Sequence, residues 1–235
     1  TRLTEMVDGR PRFRSEPPIL VPVPDDQLDD VVADLAPIYA QYLATLSPDR
    51  IALLARYSFT AVAHKAVGVG SVGTRALVML LESGDGEPLL LQVKQANPSV
   101  LEPHLGASRY ENAGQRVVAG QQVMQSGGDP FLGWCTGKRI EVDFYIRQLK
   151  DMKGSIEIPT LSRSGLHDYA RICGAVLARA HARAGDAARI SGYLGSSPEF
   201  DEAVGEFAMK YADLTASDHA RLVSWRDGST PSGKG

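Results

Sequence analysis

Apolar residues at helical spacing open the ordered part of the chain. Leu28, Val31, Val32, Leu35, Tyr39, Tyr42, Leu43 and Leu46 form one stripe. Asp25 is expected to cap that helix, and Pro37 to kink or divide it. Ser47-Pro48-Asp49 restarts a short helix to about Tyr57, with the serine as cap and the proline at the first helical position. Ahead of these, Thr1 to Pro24 is rich in Pro and Arg and reads as an extended arm. The pattern then changes. Residues 61–67, 76–81 and 89–94 are short apolar runs punctuated by glycine and proline, which predicts three strands. A second helix is expected over Arg109 to Gln125, stopped by Gly127-Gly128-Asp129-Pro130. Two more strands come next, Phe131 to Cys135 and Val142 to Leu149, turning at Gly137. Asp151 to Ser164 is a polar connector. Helical spacing returns from Leu166 to Ala180 and from Phe200 to Tyr211, and the tail after Gly228 carries little information.

The predicted class is α+β: a five-stranded antiparallel sheet with one helix inserted after the third strand, flanked by N- and C-terminal helices. The expected divisions are an arm with helices over 1–60, the sheet lobe over 61–154, a helical part over 155–227 and a disordered tail over 228–235.

The stretch with the most chemistry joins the first two strands. It carries Gly68, Gly70 and Gly73, with Ser71, Thr74 and Arg75 among them. Glycine permits positive φ and close approach of a ligand to the backbone. The segment after Arg75 is an apolar strand and not a helix, so a dinucleotide-binding turn is excluded. Turn amides from Gly70 to Thr74 are placed to cradle phosphate oxygens, and Ser71 and Arg75 add donors. The structural alternative is a hairpin that needs glycine only for its backbone angles. In the third strand Lys94 shares a face with Leu90 and Gln92. Strand, glycine loop, strand, turn, strand with lysine is the order in which kinase-type folds cover ATP and reach its phosphates. The partner of Lys94 would come from the next helix: Glu111 is its only acid, and Gln115, one turn on, is the rival position. The segment from Arg147 to Gly154, with Gln148 and Leu149 at its start, is placed to meet the base as a hinge, or else is a solvated rim.

Composition narrows the partners. A net charge of −3 gives no footprint for nucleic acid or an anionic membrane. The longest apolar runs fall far short of a bilayer span. Cys135 and Cys173 match no metal or disulfide framework and suit a reducing cytoplasm. The five histidines show no paired ligand spacing. The glycine-lysine tail at 228–235 has P-loop spacing but no strand before it.

The segments VGVGSVGTR (67–75), LQVKQANPSVLEP (91–103), GQRVVAGQQVMQ (114–125), RQLKDMKGS (147–155) and LARAHARAGD (177–186) together resemble an uncharacterised bacterial family. That family is grouped with the protein-kinase-like and aminoglycoside-phosphotransferase-like folds, and the resemblance extends to about residue 222. It implies a kinase-like small lobe in a circularly permuted phosphotransferase, with catalytic and metal-binding loops ahead of the glycine loop. This chain carries neither loop. Its two asparagines, Asn97 and Asn112, both precede the fifth strand, and neither Asp186 nor Asp143 stands in the required setting. Because it opens at Thr1, the chain is expected to be a fragment or a processed product. The expected cofactor is ATP with Mg2+, and the expected partners are a nucleotide and a small-molecule or protein phosphate acceptor. A kinase-like binding or regulatory module without chemistry is the alternative.

Overall fold

The computed structural model of the chain describes residues 3–66, 68, 73–137, 141–149 and 156–228. Gly70, Ser71, residues 150–155 of the expected hinge and connector, and the tail from 229 lie outside the described residues. A hairpin of β1 (Thr4–Val7) and β2 (Arg10–Phe13) comes first, then β3 (Leu20–Pro22), α1 (Asp25–Leu43) and α2 (Pro48–Leu54). The strands β4 (Tyr57–Lys65), β5 (Ala76–Ser83) and β6 (Pro88–Ala96) come next. A short helix α3 (Glu102–Leu105) and the helix α4 (Ala113–Met124) lead to β7 (Gly133–Gly137) and β8 (Val142–Gln148). The chain continues through α5 (Arg163–Ala184), α6 (Ala187–Leu194) and α7 (Glu199–Gly228). Six strands form one antiparallel sheet in the order β3-β4-β5-β6-β8-β7.

Period-two alternation gives this sheet two apolar faces. Leu89, Leu91 and Val93 of β6 join Val62, Met79, Leu81, Phe144 and Ile146 in the larger core, where Tyr42 of α1 and Leu54 of α2 cover them. The Tyr42 ring is fully buried, and its hydroxyl donates to the carbonyl of Phe131 at 2.7 Å. Gly133 is required beneath it, because a Cβ there would lie 2.8 Å from the ring. On the opposite face Leu90, Val78, Leu80 and Ala63 pack with Leu20 and with Phe13 of the hairpin.

Several expectations are corrected. The N-terminal arm is not merely extended. Asp8 and Gly9 both take positive φ, 51° and 75°, and form the two-residue turn of a hairpin. With β3 added at one edge, the sheet has six strands, not five. Helix α1 is not divided at Pro37. The proline removes one backbone hydrogen bond, but burial of Tyr42 and packing of Leu35, Ile38 and Tyr39 hold the helix on the sheet. Pro24, not Asp25, is its N-cap. Asp25 lies in the first turn, where its Oδ2 accepts from Arg12 at 2.6 Å. Strand β7 begins at Gly133, two residues later than expected, and α6 is not among the expected elements.

The chain divides into two compact units, residues 1–180 and 181–235. The second holds α6 and α7. Asp186 caps α6 by accepting from the Arg189 amide at 3.0 Å, and Phe207 stacks on Tyr211 along α7.

These packing arguments make two predictions. Pro37→Ala restores an amide in an exposed stretch of α1, so the midpoint of urea unfolding should rise, by about 1–3 kcal/mol of stability; a fall would contradict the account of α1. Burial, with the nearby charge of Asp143 second, pushes the Cys135 thiol from its ordinary 9.0 up to about 12. Thiol reagents at neutral pH should therefore modify exposed Cys173 and spare buried Cys135 in the folded protein. Because the folded pKa is the higher one, this contribution to stability is complete below about pH 9 and is lost as pH rises toward 12.

Candidate functional site

The face of the sheet opposite α1 carries Gln92 and Lys94, with Leu90, along β6. Register places Lys94 across from Ala76 of β5 and Tyr145 of β8, and Gln92 across from Val78 and Arg147. Helix α4 docks on the same face, because its first turn is tied to the side chain of Asp143. Asp143 Oδ1 accepts from Asn112 Nδ2 and Thr136 Oγ1, each at 2.8 Å, and Oδ2 accepts from the Ala113 amide at 2.8 Å. Asn112 Oδ1 in turn caps the helix by accepting from the Gln115 amide. A Cβ on Gly114 would fall 2.2 Å from the carbonyl oxygen of Phe144, so only glycine allows α4 this close to β8.

Lys94 is half-buried, and its Nζ lies 5.9 Å from the centroid of the Tyr145 ring. Among the described residues no carboxylate pairs with it. Glu111 does not lie in the helix as expected. The helix begins at Ala113 because Asn112 takes the capping role, which leaves Glu111 exposed ahead of it. Glu111 lines a cleft of about 380 Å³ with Arg116, Glu102, Asn97 and Asp143; Lys94 does not line this cleft. Gln115 stands in the first turn of α4, with its amide engaged by the cap.

Of the glycine stretch, Gly68 and Gly73 are described, at φ +131° and +84°, and nothing crowds either position. Thr74 is half-buried and Arg75 exposed. The Arg75 amide donates to Gln95 Oε1 at 3.1 Å and its carbonyl accepts from the Gln95 amide at 2.9 Å, so Gln95 anchors the returning end of the loop to β6. At the end of β8 the Gln148 amide donates to Asp129 Oδ2 at 2.7 Å and the Leu149 amide to the Leu90 carbonyl at 2.9 Å. Neither amide is free for a ligand.

Sequence reasoning missed Gln95, the Asp143 network, and the pairing of Arg147 with Gln92, in which Arg147 Nε donates to Gln92 Oε1 at 3.1 Å. The alternation that put Gln92 on the face of Lys94 was the one available signal for the last.

The family profile of an uncharacterised protein conserved in bacteria, DUF2252, matches residues 1–225. The chain belongs to the DUF2252 family. No curated protein and no solved structure matches it. The match takes in the glycine stretch, Lys94, α4 and the end of β8, so this whole face lies within the DUF2252 region. Among the described residues no helix is long and apolar enough to cross a membrane.

The Asp143 clamp makes a direct prediction. Asp143→Ala leaves the Ala113 amide and the Thr136 hydroxyl without their acceptor and takes one of several from Asn112 Nδ2; it should destabilise the protein by about 2–4 kcal/mol in urea unfolding, and a loss below about 1 kcal/mol would remove Asp143 from the docking of α4.

Proposed function

We propose that this DUF2252 chain is the nucleotide-binding portion of a kinase-like phosphotransferase, with Mg-ATP held between the glycine stretch at 68–73 and Lys94. One observation carries the reading. Five consecutive strands pair in the order β4-β5-β6-β8-β7, and the helix α4, inserted between the third and fourth of them, packs on the face that carries the lysine of the third. In a kinase-like lobe that arrangement sets the glycine turn over the phosphates, the lysine on them, and the end of the fifth strand beside the base.

Catalysis on this reading needs an acidic residue to orient the acceptor hydroxyl and acidic or amide ligands for metal. Among the described residues no group of three or more His, Cys, Asp and Glu side chains is placed to hold a metal ion. On this reading the metal would come with the triphosphate, and the family resemblance implies that the catalytic and metal-binding loops stand ahead of the glycine loop in the permuted order. Lys94 holds the α- and β-phosphates as a point charge. The acceptor is a small molecule or a protein, and the setting is the cytoplasm, where the free thiols of Cys135 and Cys173 persist. The second reading, a non-catalytic kinase-like module, is favoured by one feature: Lys94 lacks a carboxylate partner among the described residues, and Gln115, which stands in the adjoining helix, cannot form an ion pair with it.

The test is the melting temperature with and without Mg-ATP, in wild type and in Lys94→Ala. A ligand at roughly a hundredfold excess over its Kd adds about 2.7 kcal/mol to the folded state. The wild type should shift upward and Lys94→Ala should not. An equal shift in both would remove Lys94 from the site, and no shift in the wild type would remove ATP as its ligand.

A further inference from the structure

The row of side chains between Lys94 and the end of β8 offers donors where a base would lie. A nucleotide anchored by its phosphates at Lys94 and reaching Gln148 must cross the Gln92–Arg147 pair, one row, or about 7 Å, further along the strands. Gln92 is fully buried, and its Oε1 accepts from Arg147 Nε. This contact fixes the amide orientation, since the flipped form would set two donors against each other. Nε2 of Gln92 is left buried, with no partner among the described residues. Arg147 is half-buried. With Nε engaged, it presents its remaining guanidinium N–H groups without a carboxylate among the described residues. The acids on or beside this row are occupied. Asp143 holds α4, and Asp129 holds the amides of Phe131 and Gln148. The amides of Gln148 and Leu149 are engaged as well.

We infer that the Arg147 guanidinium, positioned by Gln92, reads the base, and that the site prefers a 6-oxo purine nucleoside triphosphate over ATP. The 6-amino group of adenine is a donor and would face the donors of Arg147. Guanine and hypoxanthine present O6 and N7, two acceptors at the spacing a guanidinium fork meets bidentately. Arg147 contacts the ligand; Gln92 is a positioning residue. The inference rests on the proposed nucleotide site and adds the identity of the base.

The test is calorimetric titration of the protein with the Mg complexes of ATP, GTP and ITP. ITP shares the O6 and N7 edge of GTP but lacks its 2-amino group, so it isolates that edge. GTP and ITP should bind about tenfold or more tightly than ATP. Arg147→Gln should bring the three together, chiefly by weakening GTP and ITP. Gln92→Leu should lower the same ratio by weakening GTP and ITP more than ATP, a change of selectivity that mere loss of packing would not produce. Should Arg147→Gln fail to fold, Arg147→Lys keeps the charge, loses the fork, and should also narrow the ratio. ATP binding as tightly as ITP in the wild type, with Lys94→Ala abolishing both, would overturn the base assignment and leave the nucleotide site standing. Absence of binding by all three would overturn both.

Discussion

The carboxylate of Asp143 is the contact on which the candidate site depends. It gathers an amide from the start of α4, the cap residue Asn112 and the hydroxyl of Thr136 into one point between helix and sheet. Charge-assisted bonds of this kind are about twice as strong as neutral ones. Gly114 lets the helix come down on the Phe144 carbonyl, so the clamp acts at close range. The clamp works beside the bonds of Asn112 to Thr136 and of Arg116 to the Asn97 carbonyl, and beside buried Val118, in holding α4 on the face that carries Lys94. The other face, where Tyr42 and the apolar side of α1 lie, has its own core.

The division of labour between the two faces comes from the period of the strands. Leu89, Leu91 and Val93 supply stability against α1 and α2, while Leu90, Gln92 and Lys94 grade from apolar to polar along the other side. The hairpin of β1 and β2 covers the apolar end of that gradient through Phe13, and α4 closes the polar end. Between them lies a strip with Gln92, Arg147, Lys94 and Tyr145, in which the charged groups lack opposite charges among the described residues. On the proposed function, the phosphates of a nucleotide would supply the opposite charge that Lys94 lacks among the described residues.

Much of this was legible in the sequence, for reasons tied to particular residues. Lys94 could be placed with Leu90 and Gln92 because strand alternation needs only local order. The glycine stretch could be set at a hairpin tip because an apolar strand comes after it. The N-terminal hairpin was not read, although Asp8-Gly9 is a strong turn signal, because prolines and arginines on either side suggested an extended arm. Glu111 was assigned to a helix that begins two residues later, since Asn112 competes for the cap. The tie of Asp143 to Asn112 and the Arg147–Gln92 contact were not read, because these partners lie 31 and 55 residues apart and are brought together only in the folded chain.

The central claim is that the Lys94 face takes a nucleotide. Its most direct measurement is reaction of the protein with an acyl-phosphate derivative of a purine nucleoside triphosphate, with mass-spectrometric mapping of the acylated lysine. A bound probe delivers its acyl group to an amine at the phosphates and releases the nucleotide. The account predicts modification at Lys94, suppressed by excess unmodified Mg-nucleotide. Modification spread over exposed lysines such as Lys210, with no protection by nucleotide and none selective for Lys94, would contradict it.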